Sequence, residues 1–259
     1  RIFLWILENN KRRITLAENL VRSENMGAIF DDELKRLRSH FMEMGIDASE
    51  QIYQATKAFT DHDADLADKV LTTDTKINDE EIHLEKQALK LIALQNPVAT
   101  DFRKIISILK ASTDIERLGD YSTHIARAAI TLSKFEHHED IEQPIEQMMM
   151  IVRKMLERIL DAYVYTDEQV AYEVANEDLK VDLLYVKLQK EIMKALVKGG
   201  EDVKAYDSYL AVLRNLERAG DHIVNLAEWI IYSGSGKLVE LNPGKADPTL
   251  VRRKLTGNQ

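Results

Sequence analysis

A chain of 259 residues, 45% of them hydrophobic, can bury a substantial core as one large domain or two ordinary ones. Its formal charge of -9 and pI near 5.4 argue against nucleic acid as a partner, since phosphate binding needs a positive surface field; cationic metals or basic protein patches fit better. The absence of Cys excludes disulfides, thiolate metal sites and cysteine nucleophiles, and suits a reducing cytoplasm.

Only 10 Gly and 4 Pro, with 31% charged residues, favour an all-α fold of few, long elements. The run Ile2 to Leu7 is too short to span a membrane, and the basic stretch 11–13 follows it in the wrong order for a signal peptide. Residues 1–25 are expected to be an N-terminal extension ahead of Met26.

The first repeat is placed at 26–134, with helices expected over about 29–61, 63–95 and 97–133. Between Gly45 and Gly119 there is no glycine, and Pro97 is the single proline. Asn96 and Pro97 read as an N-cap followed by a first-turn proline. A linker is expected at 135–143, ending at Pro144, where the next helix should start. The second repeat is placed at 144–235, with helices over about 144–165, 167–198 and 201–233, and a tail at 236–259. "TDEQ" from Thr166 to Gln169 has the form of a capping box, and "KGGE" at 198–201 that of a tight turn between helices.

The halves resemble each other in sequence. Residues 58–78 align with 162–182 at an offset of 104, and residues 114–130 with 215–231 at an offset of 101, with six identities in each block. The change of three falls at a predicted turn, where a duplicated chain tolerates a deletion. Two tandem three-helix bundles are therefore expected.

The second block carries "DIERLGD" and "NLERAGD". Glu116 and Asp120, and their repeat mates Glu217 and Asp221, stand where the helical period predicts core. Like charges four residues apart on one face repel, and either a salt bridge to Arg117 or Arg218, or a bound cation, would compensate. Gly119 and Gly220 lie between the acids and cost about 1 kcal/mol relative to Ala; they leave room for an ion or for a tight helix crossing. Asp74 with Asn78, and Asp178 with Asp182, offer further pairs on the preceding helices, which should run antiparallel. His124 and Asn225, one turn beyond the motif, could extend the clusters. Oxygen-rich clusters suit Mg, Mn or Fe and admit Zn.

The paired "ERLGD" and "ERAGD", with "PVATDFRKI" at 97–105 and "GKLVELN" at 236–242, resemble the PhoU family over roughly residues 26–242. The resemblance implies two similar three-helix bundles, each with a multinuclear metal cluster, Fe or Zn foremost and Mg or Mn as alternatives. Its ligands would be Glu116, Asp120, Glu217 and Asp221, with Asp74, Asp178 and Asp182 on the facing helices. Asn78 departs from the acidic pattern. Asp101 and Arg103, mated by Asp202 and Lys204, match a family-like segment of open role. The resemblance also implies a negative regulator of phosphate uptake and phosphate-starvation signalling that is no enzyme. It would act in the cytoplasm, as a homodimer, and reach the inner face of the membrane by contacting the phosphate ABC transporter ATPase and a sensor histidine kinase.

The enzymatic rival is a ferritin-like di-iron carboxylate oxidase, which wants two E-x-x-H motifs. Glu80 and His83 form one, and its repeat positions are Leu184 and Lys187. No phosphate-cradling glycine loop of the P-loop form is present. His137 and His138, in the linker, read as solvated surface.

Overall fold

The computed structural model describes the backbone of residues 2–197 and 203–242, and the side chains of these residues from 29 onward except that of Asp74. Six helices follow in order: α1 (Ile2–Thr60), α2 (Ala64–Gln95), α3 (Ala99–Leu132), α4 (Glu139–Tyr165), α5 (Glu168–Val197) and α6 (Val203–Ser235). No strand occurs among the described residues. Helices α1, α2 and α3 pack on one another, as do α4, α5 and α6; α3 on α6 and α1 on α4 join the two sets. The expected all-α fold of two three-helix bundles is the one observed.

Each bundle is built on apolar stripes at helical spacing. Leu37, Phe41, Met44, Ile52 and Phe59 of α1 are buried in one core with Ile108, Ile115 and Leu118 of α3. In the second bundle Met148, Met155 and Ile159 of α4 are buried in the same cluster as Tyr209, Leu213 and Leu216 of α6. Residues three or four apart share a helix face, so long stripes make long helices and leave the polar faces to solvent.

The helix ends differ in detail from the sequence reading. Asn96 is not the N-cap of α3; it ends α2 in the left-handed region (φ 43) and its backbone N–H donates to the Ile92 carbonyl, a conformation Asn tolerates well. Helix α3 starts at Ala99 behind Val98, without a side-chain cap. Thr166 likewise ends α4 at φ 54, and Asp167, one residue on, caps α5 by accepting the Val170 N–H at 3.1 Å. Helix α4 begins at Glu139, so Pro144 lies in its second turn and not at its start. The acids of that first turn, Glu139, Asp140 and Glu142, complement the helix dipole and carry the start upstream of the proline. Of the residues read as an N-terminal extension, 2–25 form the first part of α1.

Beyond α6, residues 236–242 lie back on the second bundle. Gly236 turns the chain at φ 75. The Leu241 N–H donates to Glu228 Oε1 at 2.8 Å, and the Asn242 amide donates to the Ala175 carbonyl at 2.5 Å.

Candidate metal centre and the interface beside it

The second bundle brings three of its four candidate acids together. Asp178 and Asp182, one turn apart on α5, offer carboxylate oxygens within 4.8 Å of one another and of Asp221 on α6. Asp178 is fully buried and Asp182 is 6% exposed. A Cβ on Gly220 would stand 2.3 Å from Asp178 Oδ1, closer than atoms can approach, so the glycine is what admits the carboxylate. Glu217, one turn before Asp221 on α6, is half-buried and stands outside that triad.

Two buried carboxylates and a half-buried third this close repel one another, because charges largely out of water are poorly screened. Oxygen donors converging on one point are what a hard cation requires. The donor set and the space kept open by Gly220 therefore fit a divalent or trivalent ion.

In the first bundle, Arg117 lies between the two acids of the motif. It donates to Asp120 Oδ2 at 2.9 Å and stands 3.6 Å from Glu116 Oε2. The Glu116 charge, against the opposing effect of burial, raises the Arg117 pKa, with Asp120 adding to it. Gly119 here answers to a close helix crossing: a Cβ would meet Gln51 Oε1 and Ile77 Cδ1 at 3.2 Å. Asn78 is half-buried on α2, next to Ile77. Asp74 is matched by sequence to Asp178, and its side chain lies outside the described residues, as does Asp202.

Gln51 is a residue that motif reading missed. It is 4% exposed, and its amide has no hydrogen-bond partner among the described residues. Its Oε1 points at Gly119, between Glu116 and Asp120. The signal in the sequence was a Gln between Ala48 and Ile52 on the otherwise apolar stripe of α1.

His124 and Asn225 do not extend the acid clusters. Both bond across from one of helices α3 and α6 to the other, Asn225 half-buried and His124 exposed. Asn225 donates to Asp114 Oδ1 at 2.9 Å, and His124 Nδ1 donates to Asn215 Oδ1 at 3.2 Å. Asp114 and Asn215 are themselves repeat mates, as are His124 and Asn225. The two hydrogen bonds are thus one interaction made twice across a pseudo-twofold axis. Near that axis Tyr121 donates to His222 Nε2 at 3.1 Å, and these two are also mates. Buried Asp114 further accepts from His222 Nδ1 at 2.8 Å and Trp229 Nε1 at 3.1 Å.

Asp101 sits at the start of α3 and bonds Lys104 at 3.0 Å. Fifteen residues before Glu116, it is about 22 Å away along the helix, too far to share its ion. Glu80 pairs with Lys76 at 3.7 Å. Burial, and then the nearby Asp47, raises the pKa of its carboxyl.

The linker histidines are not simply solvated. The His137 ring stacks on His62 with centroids 3.5 Å apart and donates to Glu142, while His138 Nε2 is buried. A short linker across the bundle junction has to cover core residues, which overrides the hydrophilic look of "HHED".

The sequence repeat and the helical fold are matched by known proteins. The PhoU domain family matches residues 41–129 and again residues 145–230, one segment per bundle. The chain belongs to the PhoU family. A PhoU homologue of Clostridium acetobutylicum, named a phosphate-specific transport system accessory protein, is 37% identical over 83% of this chain and 98% of its own. The crystal structure of the phosphate transport system regulatory protein PhoU from Streptococcus pneumoniae superposes with a TM-score of 0.77 at 32% identity, covering 82% of this chain and all of that one. PhoU from Pseudomonas aeruginosa gives 0.78 at 33% identity over 80% of this chain. PhoU-family proteins are regulatory accessory proteins and not enzymes, which removes the oxidase rival. No described helix is long and apolar enough to cross a membrane.

Proposed function

We propose that this PhoU-family chain is a metal-binding negative regulator of phosphate uptake and phosphate-starvation signalling. The observation that carries the metal reading is the Asp178, Asp182 and Asp221 triad, seated where Gly220 leaves room for Asp178. Glu217 extends that donor set, and Glu116, Asp120, Asp74 and Asn78 supply the first bundle, with the Gln51 amide oxygen as a further hard donor. The bound ions, in multinuclear clusters of Fe or Zn or else Mg or Mn, would neutralise buried carboxylates and tie α5 to α6 and α2 to α3. The names of the relatives support association with a phosphate transport system. The partners proposed are the ATPase of the phosphate ABC transporter and the phosphate-responsive sensor histidine kinase. They would be met in the cytoplasm, at the inner face of the membrane, by a homodimer.

The test has two readouts. Metal analysis of protein purified without chelator should show bound metal that falls by about half on changing Glu116 and Asp120 to Ala. Changing Glu217 and Asp221 as well should remove the rest of the metal held by the two motif clusters, with helicity by circular dichroism as the control. Deleting the gene should leave phosphate-responsive genes on at high phosphate, and restoring it should silence them. Full metal content in the fourfold variant would make the acids structural. A deletion without effect on those genes would remove the regulatory reading.

A further inference from the structure

The junction between the bundles holds a second group of metal-ligand type, with different chemistry. His62 comes from the turn between α1 and α2, His137 from the segment between α3 and α4, and Glu142 from the first turn of α4. His62 Nε2 lies 3.0 Å from Glu142 Oε1, and His137 Nδ1 lies 2.9 Å from Glu142 Oε2. One ligand atom of each falls within 4.8 Å of the other two.

We infer that His62, His137 and Glu142 form a site for a single borderline transition-metal ion, of the Zn2+ class, that fastens the first bundle to the second. Ligands at about 2.0–2.1 Å from a tetrahedral zinc stand roughly 3.3 Å apart. The observed N to O separations need to open by only a few tenths of an ångström. Two imidazoles and a carboxylate are a donor set that zinc favours, leaving a fourth position to solvent. His137 supplies the open side: its side chain is 53% exposed, whereas those of His62 and Glu142 are 8% and 7% exposed. Coordination requires the His137 ring to tilt out of its stack on His62, and its exposure permits that.

The surroundings hold the buried ligands in place. His62 occupies the left-handed region (φ 49) at the end of α1, a conformation that is uncommon for a non-glycine residue and must be held by its surroundings. Glu142 also accepts from the Tyr209 hydroxyl and from the His138 backbone N–H, the kind of outer contacts that orient a ligating carboxylate. Although burial opposes ionisation of Glu142, the bonds from Tyr209 and His137 and the nearby His62 outweigh it and lower its pKa. The buried His138 Nε2, which has no hydrogen-bond partner among the described residues, adds an unused donor to the same junction. The acid triad is made of oxygen alone, so this site differs from it in metal preference as well as position.

The test uses untagged full-length protein and Co2+, whose visible bands are intense in a four-coordinate site bearing nitrogen and pale in an all-oxygen octahedral one. The wild type should take up one equivalent with intense bands that Zn2+ displaces. His137→Ala removes an exposed side chain and should retain the fold by circular dichroism, yet it should lose those bands. Glu142→Gln should do the same, and Tyr209→Phe should weaken binding by about tenfold or more. Bands that survive in His137→Ala, or a wild type showing only the pale spectrum, overturn the inference without reference to any other variant.

Discussion

At the scale of single residues, the two motif glycines have different reasons to be glycine. Gly220 faces the buried carboxylate of Asp178, and a methyl group there would overlap it at 2.3 Å. Gly119 faces Gln51 and Ile77 at 3.2 Å, which a small shift of either side chain relieves. Gly220→Ala should therefore push Asp178 out of the triad and lower the metal content of the second bundle, whereas Gly119→Ala should change metal content little. The helix gains about 1 kcal/mol from either change, so thermal melting should show Gly119→Ala neutral or slightly stabilised. Metal analysis of both variants beside the wild type separates the two roles; equal metal in Gly220→Ala would mean that the carboxylate can relocate within the site. The acids and glycines of this motif were legible in the sequence because each breaks an apolar stripe, and breaks it twice. The direction each glycine faces was not, since spacing along one helix says nothing about which neighbour lies across from it. His124 and Asn225 were misplaced for that reason. Helix α3 is covered on one side by its own bundle and on another by α6, and one turn along from Asp120 the facing partner has changed.

Among the elements, the α3 and α6 pair carries the polar network on which the two bundles meet. Asp114 accepts hydrogen bonds from His222, Asn225 and Trp229. Removing its carboxylate leaves three donors without an acceptor in a buried interface. Asp114→Ala should thus cost about 2–4 kcal/mol in urea unfolding, and Asp114→Asn, which keeps one acceptor, should cost less. At the far end of α6, Glu228 receives the tail through the Leu241 N–H. Burial pushes the Glu228 carboxyl above its ordinary 4.5; the Leu241 bond opposes that, and the charges of Glu240 and Asp114 add to it. An acid whose folded pKa is raised holds its proton better folded than unfolded, so stability is greatest below 4.5 and falls as pH rises through the folded value. Glu228→Gln should abolish that loss. Its stability relative to wild type should increase between about pH 4 and about pH 7, read from urea midpoints at each pH; a difference flat with pH would show that the carboxyl titrates alike folded and unfolded. Docking of residues 236–242 could not be read from "GKLVELN" itself, because it depends on a glutamate thirteen residues back in the chain.

For the whole molecule, the question is whether the two bundles are two folding units or one. Sequence duplication suggests two, and the helices and their order follow from local signals that each half carries by itself. The packing argues for one. In α3, 17 of 34 residues are buried, more than the three in seven that a helix facing a single core needs. The additional face includes Asp114 and Tyr121, and it meets α6 across the pseudo-twofold axis. A bundle unfolded from its mate would leave the survivor with that face in water and the Asp114 carboxylate without its donors. The cost falls on whichever half remains, so unfolding of one should carry the other with it. Trp229 lies at this interface, and the chain has one other tryptophan, Trp5. In a Trp5→Phe background, fluorescence from Trp229 should report loss of the interface, while far-UV circular dichroism reports loss of helix throughout. Their urea transitions should coincide, and Asp114→Ala should move both midpoints down together. Fluorescence changing well before the helical signal would mean that the interface opens first, and that the halves then stand as separate bundles able to move against each other.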